Sequence, residues 1–279
     1  MQKNSKTRQI LGIEPASGAI QLSTCYVILA YRRFGYSLLY PPKGPRASAA
    51  LRTEQGACPC PCAMLALMKL YNYFRSSASF RVRIALHLKG LPFDYVSIHL
   101  ARGDHRKPDY RGVSADGLVP LLDLGHDRLS QSMAIIEYLD ETHPEPALLP
   151  QDPLQRAHVR ALAQSIACEI HPINNLRVLR YLSHELKVDE DTKNTWYRHW
   201  VREGLEAFER QLAQGPRSTY CFGDSPSLAD CCLVPQIFNG QRFKVNFDGL
   251  PLTMAAFDAC MKLDAFQKAQ PSACPDFEP

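Results

Sequence analysis

The sequence predicts an α/β domain followed by an all-helical domain, with an irregular leader in front. Three observations carry this. From Met68 to Thr142, alternating and helical hydrophobic periods succeed one another in the order β-α-β-α-β-β-α. From Pro153 onward only the helical period remains. A proline-rich stretch, His143–Pro153, separates the two regimes. The expected boundaries are 1–67 for the leader, 68–149 for the α/β domain and 150–279 for the helical domain.

Lys69–Phe74 alternates apolar and polar residues, as a strand does. Ser79–Lys89 carries a broad apolar helical face through Phe80, Val82, Ile84, Ala85, Leu86 and Leu88, and Gly90 follows as a natural C′ residue. Asp94–His99 is the next strand, and Ala101–Tyr110 is a polar loop with a short helix. Leu118–Leu124 is a short apolar strand interrupted by Pro120, which places that proline at an edge, a bulge or a cis X–Pro turn. Arg128–Ser130 pairs back across the turn at Gly125–Asp127, and Ser132–Thr142 is an amphipathic helix with Ser132 as its N-cap. In the second domain, Leu154–Leu186 reads as a long helix that Pro172 kinks or breaks. Lys193–Leu212 is another long helix, Ser227–Gln236 opens with a capping box built on Asp230, and Thr253–Ala269 is the last helix.

The formal charge of +4 is unevenly spread. Residues 1–67 hold eight basic and two acidic side chains, which leaves residues 68–279 at −2. A mildly acidic body argues against nucleic acid as a partner. No uncharged apolar run approaches the ~20 residues that span a bilayer, and no signal peptide is apparent, so no membrane partner is expected. The cysteines of the body are read as free thiols in a reducing cytoplasm. The leader lacks sustained periodicity. Its Cys58-Pro59-Cys60-Pro61-Cys62 run lacks the second ligand pair of a structural zinc site, and no metal is expected. The leader is read as a disordered segment or, because Met68 begins a strand at once, as a gene-start artefact.

The chemistry is concentrated where the first strand meets the first helix. Arg75-Ser76-Ser77-Ala78-Ser79 puts hydroxyls and a cation at a helix N-terminus, whose unpaired N–H groups and positive dipole end favour an anion or a thiolate. Ser132, at the start of another helix, offers a similar carboxylate site.

The blocks YFRSSASFRVRIAL, LVPLLDL, QSMAIIEYLDE, HPINNL and SLADCCLVPQ, in this order and spacing from Met68 to about Asp276, resemble the zeta class of glutathione transferases. The resemblance implies a thioredoxin-like amino-terminal domain, an all-helical carboxyl-terminal domain, a homodimer, and glutathione as cofactor. It makes Ser76 the donor to the glutathione sulfur, with Ser77 as the other candidate. In the class the turn often reads Ser-Ser-Cys. Ala78 stands in the cysteine's place, so a mechanism using that thiol is not open to this chain.

By the same resemblance, Val119 and a cis Pro120 pair with the cysteinyl segment of glutathione. Gln131 and Ser132 hold its γ-glutamyl carboxylate, His171 and Asn175 face it, and His105 reaches its glycine end. Arg75 and Arg242 are candidates for the substrate carboxylates, since a guanidinium fork suits a carboxylate bidentately. Arg177 joins them, on a helix face shared with His171 and Asn175. Ser227 and Asp230 are assigned to folding, and Cys231 and Cys232 to the core.

The implied activity is glutathione-dependent cis–trans isomerisation of a maleyl diketo acid in tyrosine, phenylalanine or related aromatic catabolism. The substrate is maleylacetoacetate or the shorter maleylpyruvate. Leu176 stands where the family members acting on the shorter substrate carry an arginine, which favours the longer one. The competing readings are a general glutathione transferase and a non-catalytic interaction module of the same fold.

Overall fold

The structure, a computed structural model, describes residues 68–278. The expectations for the leader and its cysteine run lie outside those residues. Strand β1 (Lys69–Asn72) occupies the interior of a four-stranded sheet in the order β2-β1-β3-β4, beside the parallel β2 (Asp94–Ser97). On its other side β1 meets the antiparallel β3 (Leu121–Asp123), which pairs antiparallel with β4 (Arg128–Ser130). This is the thioredoxin-like sheet the sequence implied. Between β2 and β3 lies the short helix α2 (Pro108–Arg111), and the Val119–Pro120 peptide beyond it is cis and leads directly into β3.

Helix α1 (Ser77–Leu88) buries almost its whole circumference, because α3 (Ser132–Thr142), α7 (Leu228–Arg242) and α9 (Asp264–Ala269) all pack on it. It ends at Gly90, whose φ of 63° supplies the left-handed C′ conformation. Two arginines, Arg81 and Arg83, lie inside this packing. Arg83, 1% exposed, donates from Nε to the Ala269 carbonyl at 2.9 Å. Its Nη1 reaches Asn72 Oδ1 at 3.0 Å and the Tyr73 carbonyl at 3.4 Å, and its Nη2 reaches the Phe74 carbonyl at 3.1 Å. It thereby ties the end of β1 to the last helix. Lys89 does similar work for the linker: its Nζ donates to Asp140 at 2.8 Å and to the carbonyls of His143 and Pro146 at 2.6 and 2.9 Å.

After the linker the chain is helical throughout: α4 (Pro153–Gln164), α5 (Leu176–His184), α6 (Glu190–Gln214), α7, α8 (Pro251–Met261) and α9. Ser227 and Asp230 start α7 as expected. The Asp230 carboxylate accepts from the Ser227 N–H at 2.8 Å and also from the Cys221 N–H at 2.9 Å. Cys231 and Cys232 are fully buried, and burial pushes both thiols above their ordinary range. Among the described residues no helix is long and apolar enough to cross a membrane.

Three local expectations need correction. The run Leu154–Leu186, expected as a long helix that Pro172 kinks or breaks, is broken, but over a longer stretch than the proline alone: α4, a π-helical turn at Ser165–Ile170, a 3₁₀ turn at Pro172–Asn174 and α5 follow one another. Pro172 permits the 3₁₀ turn, and Asn175 then restarts the chain as an N-cap whose Oδ1 accepts from the N–H groups of Arg177 and Val178. His171, Asn175 and Arg177 therefore do not share a helix face. The N-cap of α3 is Gln131, not Ser132, which is the first helical residue. The last expected helix divides into α8 and α9 at Lys262–Leu263.

The carboxyl-terminal segment runs back across the first strands. Asp276 accepts from the Tyr95 hydroxyl, from Ser97 Oγ at 2.7 Å and from the Phe74 N–H at 3.4 Å. Glu278 pairs its carboxylate with Arg102 and with His99 Nε2 at 3.2 Å, while its carbonyl accepts from Arg75 Nη2 at 3.1 Å.

Candidate functional site

All twelve residues singled out from the sequence line one cleft of about 570 Å³: Arg75, Ser76, Ser77, His105, Val119, Pro120, Gln131, Ser132, His171, Asn175, Arg177 and Arg242. Two helix N-termini open into it, those of α1 and α3, and each favours negative charge.

Ser76 is the N-cap of α1. Its Oγ accepts from the Ser79 N–H at 3.2 Å, which leaves the hydroxyl proton available to a ligand atom. Ser77 is buried and its hydroxyl oxygen accepts from Asn239 Nδ2 of α7. The two serines are thus inequivalent: one caps the helix at the cleft, the other ties α1 to α7. Across the cleft, neither the N–H nor the C=O of Val119 is hydrogen-bonded among the described residues, so this short extended edge is open to a peptide-like ligand. The Tyr110 hydroxyl fixes the approach to it by donating to the Leu118 carbonyl at 2.6 Å.

Gln131 adopts φ 69° and ψ 114°, a conformation uncommon for a residue with a side chain and worth ~1–3 kcal/mol of strain. Such strain concentrates where backbone must be aimed at a ligand. Ser132 follows, 4% exposed, with its Oγ accepting from Arg81 Nη1 at 3.3 Å. Arg81 was not singled out from the sequence. Set between Phe80 and Val82, it reads there as an outward residue on a mostly apolar helix, yet it is 2% exposed and lines the cleft.

His171 sits at the hinge between the π turn and the 3₁₀ turn. Burial pushes its pKa down to about 3, with the charges of Arg81 and Arg177 adding to the effect, so the imidazole is neutral near pH 7. His105 is also held below its usual range, by burial first and then by Arg106 and Arg180. Asn175 commits Oδ1 to the cap of α5, leaving its amide Nδ2 to donate into the cleft.

Arg75 and Arg242 approach one another along the wall. Desolvation, then the neighbouring Arg75 charge, lowers the pKa of Arg242 from its ordinary value, and it remains a cation. Arg242 is braced over the Phe243 ring, 5.2 Å from its centroid, and that ring stacks on Tyr197 at 3.8 Å and 15°. This aromatic base, like Asn239, escaped the sequence reading, because Tyr197 of α6 and Phe243, just past the end of α7, lie far apart in the chain. Two converging cations with aromatic support suit an anionic ligand with more than one carboxylate.

Comparison with known proteins agrees with this architecture. The sequence matches the family models for the glutathione S-transferase N-terminal domain over residues 75–142 and C-terminal domain over residues 201–258. It is 49% identical over 210 residues to a maleylpyruvate isomerase of Ralstonia sp, covering 75% of this chain and 99% of that protein. A solved structure of a maleylpyruvate isomerase, a bacterial zeta-class glutathione S-transferase, superposes with a TM-score of 0.74 at 48% identity, over 75% of this chain and 100% of that one. Maleylacetoacetate isomerase from Anaeromyxobacter dehalogenans 2CP-1, solved with GSH in its active site, gives a TM-score of 0.68 at 38% identity, over 76% of this chain and 98% of that one. The chain belongs to the zeta class of the glutathione transferase family.

Proposed function

We propose that this protein is a glutathione-dependent isomerase that converts maleylacetoacetate to fumarylacetoacetate. The observation that carries the reading is the convergence, in one cleft, of a serine-capped helix N-terminus, an open Val119 edge and the Arg75–Arg242 pair. The cleft fits glutathione on its own chemistry: a peptide-like edge for the cysteinyl segment, a helix N-terminus at Ser132 for a carboxylate, and a hydroxyl donor at Ser76 for the sulfur. When bound, glutathione supplies a thiolate whose reversible addition gives the substrate double bond the single-bond character needed for rotation.

The chain's own residues do the rest. The Ser76 hydroxyl and the dipole of α1 favour the ionised sulfur near pH 7. Arg75 and Arg242 hold the substrate carboxylates and stabilise the negative charge that develops on the diketo group. Neutral His171 and the Asn175 amide line the cleft without adding a competing charge. Leu176, 40% exposed, gives that wall an apolar surface suited to the longer substrate.

A second reading, maleylpyruvate as substrate, is favoured by the 49% identity to the Ralstonia enzyme. We further propose a homodimer acting in the cytoplasm, in tyrosine or phenylalanine breakdown. The test is the isomerisation rate of each maleyl diketo acid with and without glutathione. Turnover that requires glutathione and favours maleylacetoacetate is expected. Preference for maleylpyruvate moves the assignment to the second reading, and glutathione-independent turnover removes both. Equilibrium sedimentation at twice the monomer mass is expected for the dimer.

A further inference from the structure

A second cavity, of about 520 Å³, lies beside the cleft. Helix α5 lines it with Arg177, Arg180, Tyr181 and His184, which at i, i+3, i+4 and i+7 share one face of that helix. The loop between β2 and α2 lines it with Arg102 and Arg106. Four guanidinium groups therefore border one space, and the carboxylate among the described residues that line it is Glu185.

The fold leaves much of this charge unbalanced. Arg102 pairs with Glu278. Arg180 spends Nη2 on the carbonyls of Leu100 and Ala101, at 3.2 and 3.4 Å, which ties α5 to the loop without cancelling the charge. The side chains of Arg106 and Arg177 make no hydrogen bond or ion pair among the described residues. Their field reaches nearby groups: after burial, Arg106 and Arg180 hold His105 below its usual range, and Arg177 helps to hold His171 down. Like charges three residues apart on one helix face repel, and two more cations stand on the loop that borders the same space. Arg106 and Arg177 recover none of that cost through a partner within the described chain.

We propose that this cavity is a second anion site, outside the glutathione cleft, for a small anion bearing two or more negative charges: a polycarboxylate or an oligophosphate. Guanidinium groups bind both kinds of oxyanion through paired, charge-assisted hydrogen bonds. The cavity and the cleft share Arg106, Arg177 and Arg180 as a common wall. An anion on one side of that wall weakens its attraction for anions on the other, and the coupling is reciprocal. Occupancy of the second site thus lowers the affinity of the cleft for its own anionic ligands. The inference stands whichever thiol or acid the cleft takes.

The test is calorimetry on the full chain. Pyrophosphate and tricarballylate are titrated with the cleft empty and with the cleft filled by S-hexylglutathione, and the tighter anion tells oligophosphate from polycarboxylate. One equivalent should bind the filled protein, no more than about 10-fold more weakly than the empty one. Arg106→Gln, which removes a charge but no contact, should weaken the anion by about 5- to 20-fold, the scale of a charge-assisted hydrogen bond in a partly exposed site. Its Tm should match wild type. Lys268→Gln, which removes a cation on α9, should leave anion binding unchanged.

Loss of anion binding once S-hexylglutathione is present would place the anion in the cleft and overturn the second site. A wild-type chain that binds neither anion at millimolar concentration would overturn it too. So would equal weakening by Arg106→Gln and Lys268→Gln, which would show attraction to the surface as a whole. Failure of S-hexylglutathione to bind would count against the glutathione reading alone, and the Arg106→Gln comparison would still decide the second site.

Discussion

Replacing Arg83 by methionine tests how the turn bearing Ser76 is held. Methionine keeps most of the unbranched stem and removes the guanidinium. Asn72 Oδ1 and the carbonyls of Phe74 and Ala269 then lose their donor, while the Tyr73 carbonyl keeps the Ser76 N–H at 3.0 Å. Arg83 is 1% exposed, so water cannot replace it without opening the packing of α1 on α9. At about 1 kcal/mol or more for each of these orphaned buried acceptors, the gross loss is about 3–4 kcal/mol. Relief of the desolvation that lowers the guanidinium's own pKa returns part of this, leaving about 2–3 kcal/mol. For a chain of this size that corresponds to a fall in Tm of roughly 4–12 °C. Urea unfolding followed by tryptophan fluorescence should show an earlier midpoint at unchanged slope. Because the Tyr73 and Phe74 carbonyls immediately precede Arg75 and Ser76, turnover should also fall at temperatures where the variant is still folded. A stability loss below about 1 kcal/mol would show that the network is not what holds β1 to the last helix.

Three further outcomes are expected. Ser76→Ala should lower kcat/KM by about 30- to 1,000-fold, equivalent to ~2–4 kcal/mol of barrier, with ~1 kcal/mol lost from the cap of α1. Unchanged turnover would remove Ser76 as the sulfur's donor. Gly204→Ala would place a Cβ 2.3 Å from Ile170 Cγ1, in the turn beside His171, and should cost ~1–3 kcal/mol in chemical denaturation. His171 should contribute a pH dependence to stability: its folded pKa, about 3, lies below the ordinary value of 6.5, so the unfolded chain binds more protons between these values. Its contribution is complete above about pH 6.5 and is lost progressively as pH falls toward 3. The difference in stability between wild type and His171→Gln should vary over that window and be flat above it, and a flat difference throughout would contradict the buried neutral imidazole.

The sheet and its first helices were legible because their signals are local. Arg128–Ser130 and Ser132–Thr142 alternate or repeat cleanly, and the strand and helix have these bounds in the structure. Gly90 announced the end of α1 for the same reason. The cleft was legible through motif order, since the serine turn, Val119-Pro120 and Gln131-Ser132 each sit at a junction that the fold brings together. What stayed hidden depends on distant partners. Nothing in the helical pattern around Arg81 or Arg83 says that they are buried, because the acceptors that admit them lie outside the helix: Ser132 for Arg81, and for Arg83 the end of β1 together with Ala269, 186 residues away. The break at Pro172 was legible, but its extent was not, because nothing local marks Asn175 as the N-cap whose side chain begins the next helix.

The return of the carboxyl-terminal segment to the first strands has a temporal consequence. Arg75 meets the Glu278 carbonyl across a separation of 203 residues, among the most distant pairings in the chain. During synthesis the sheet can assemble and the helices can follow. The Glu278 carbonyl can brace this guanidinium only after residue 278 has been made, so an arginine synthesised early, on the wall of the cleft, is held by a residue synthesised some two hundred positions later.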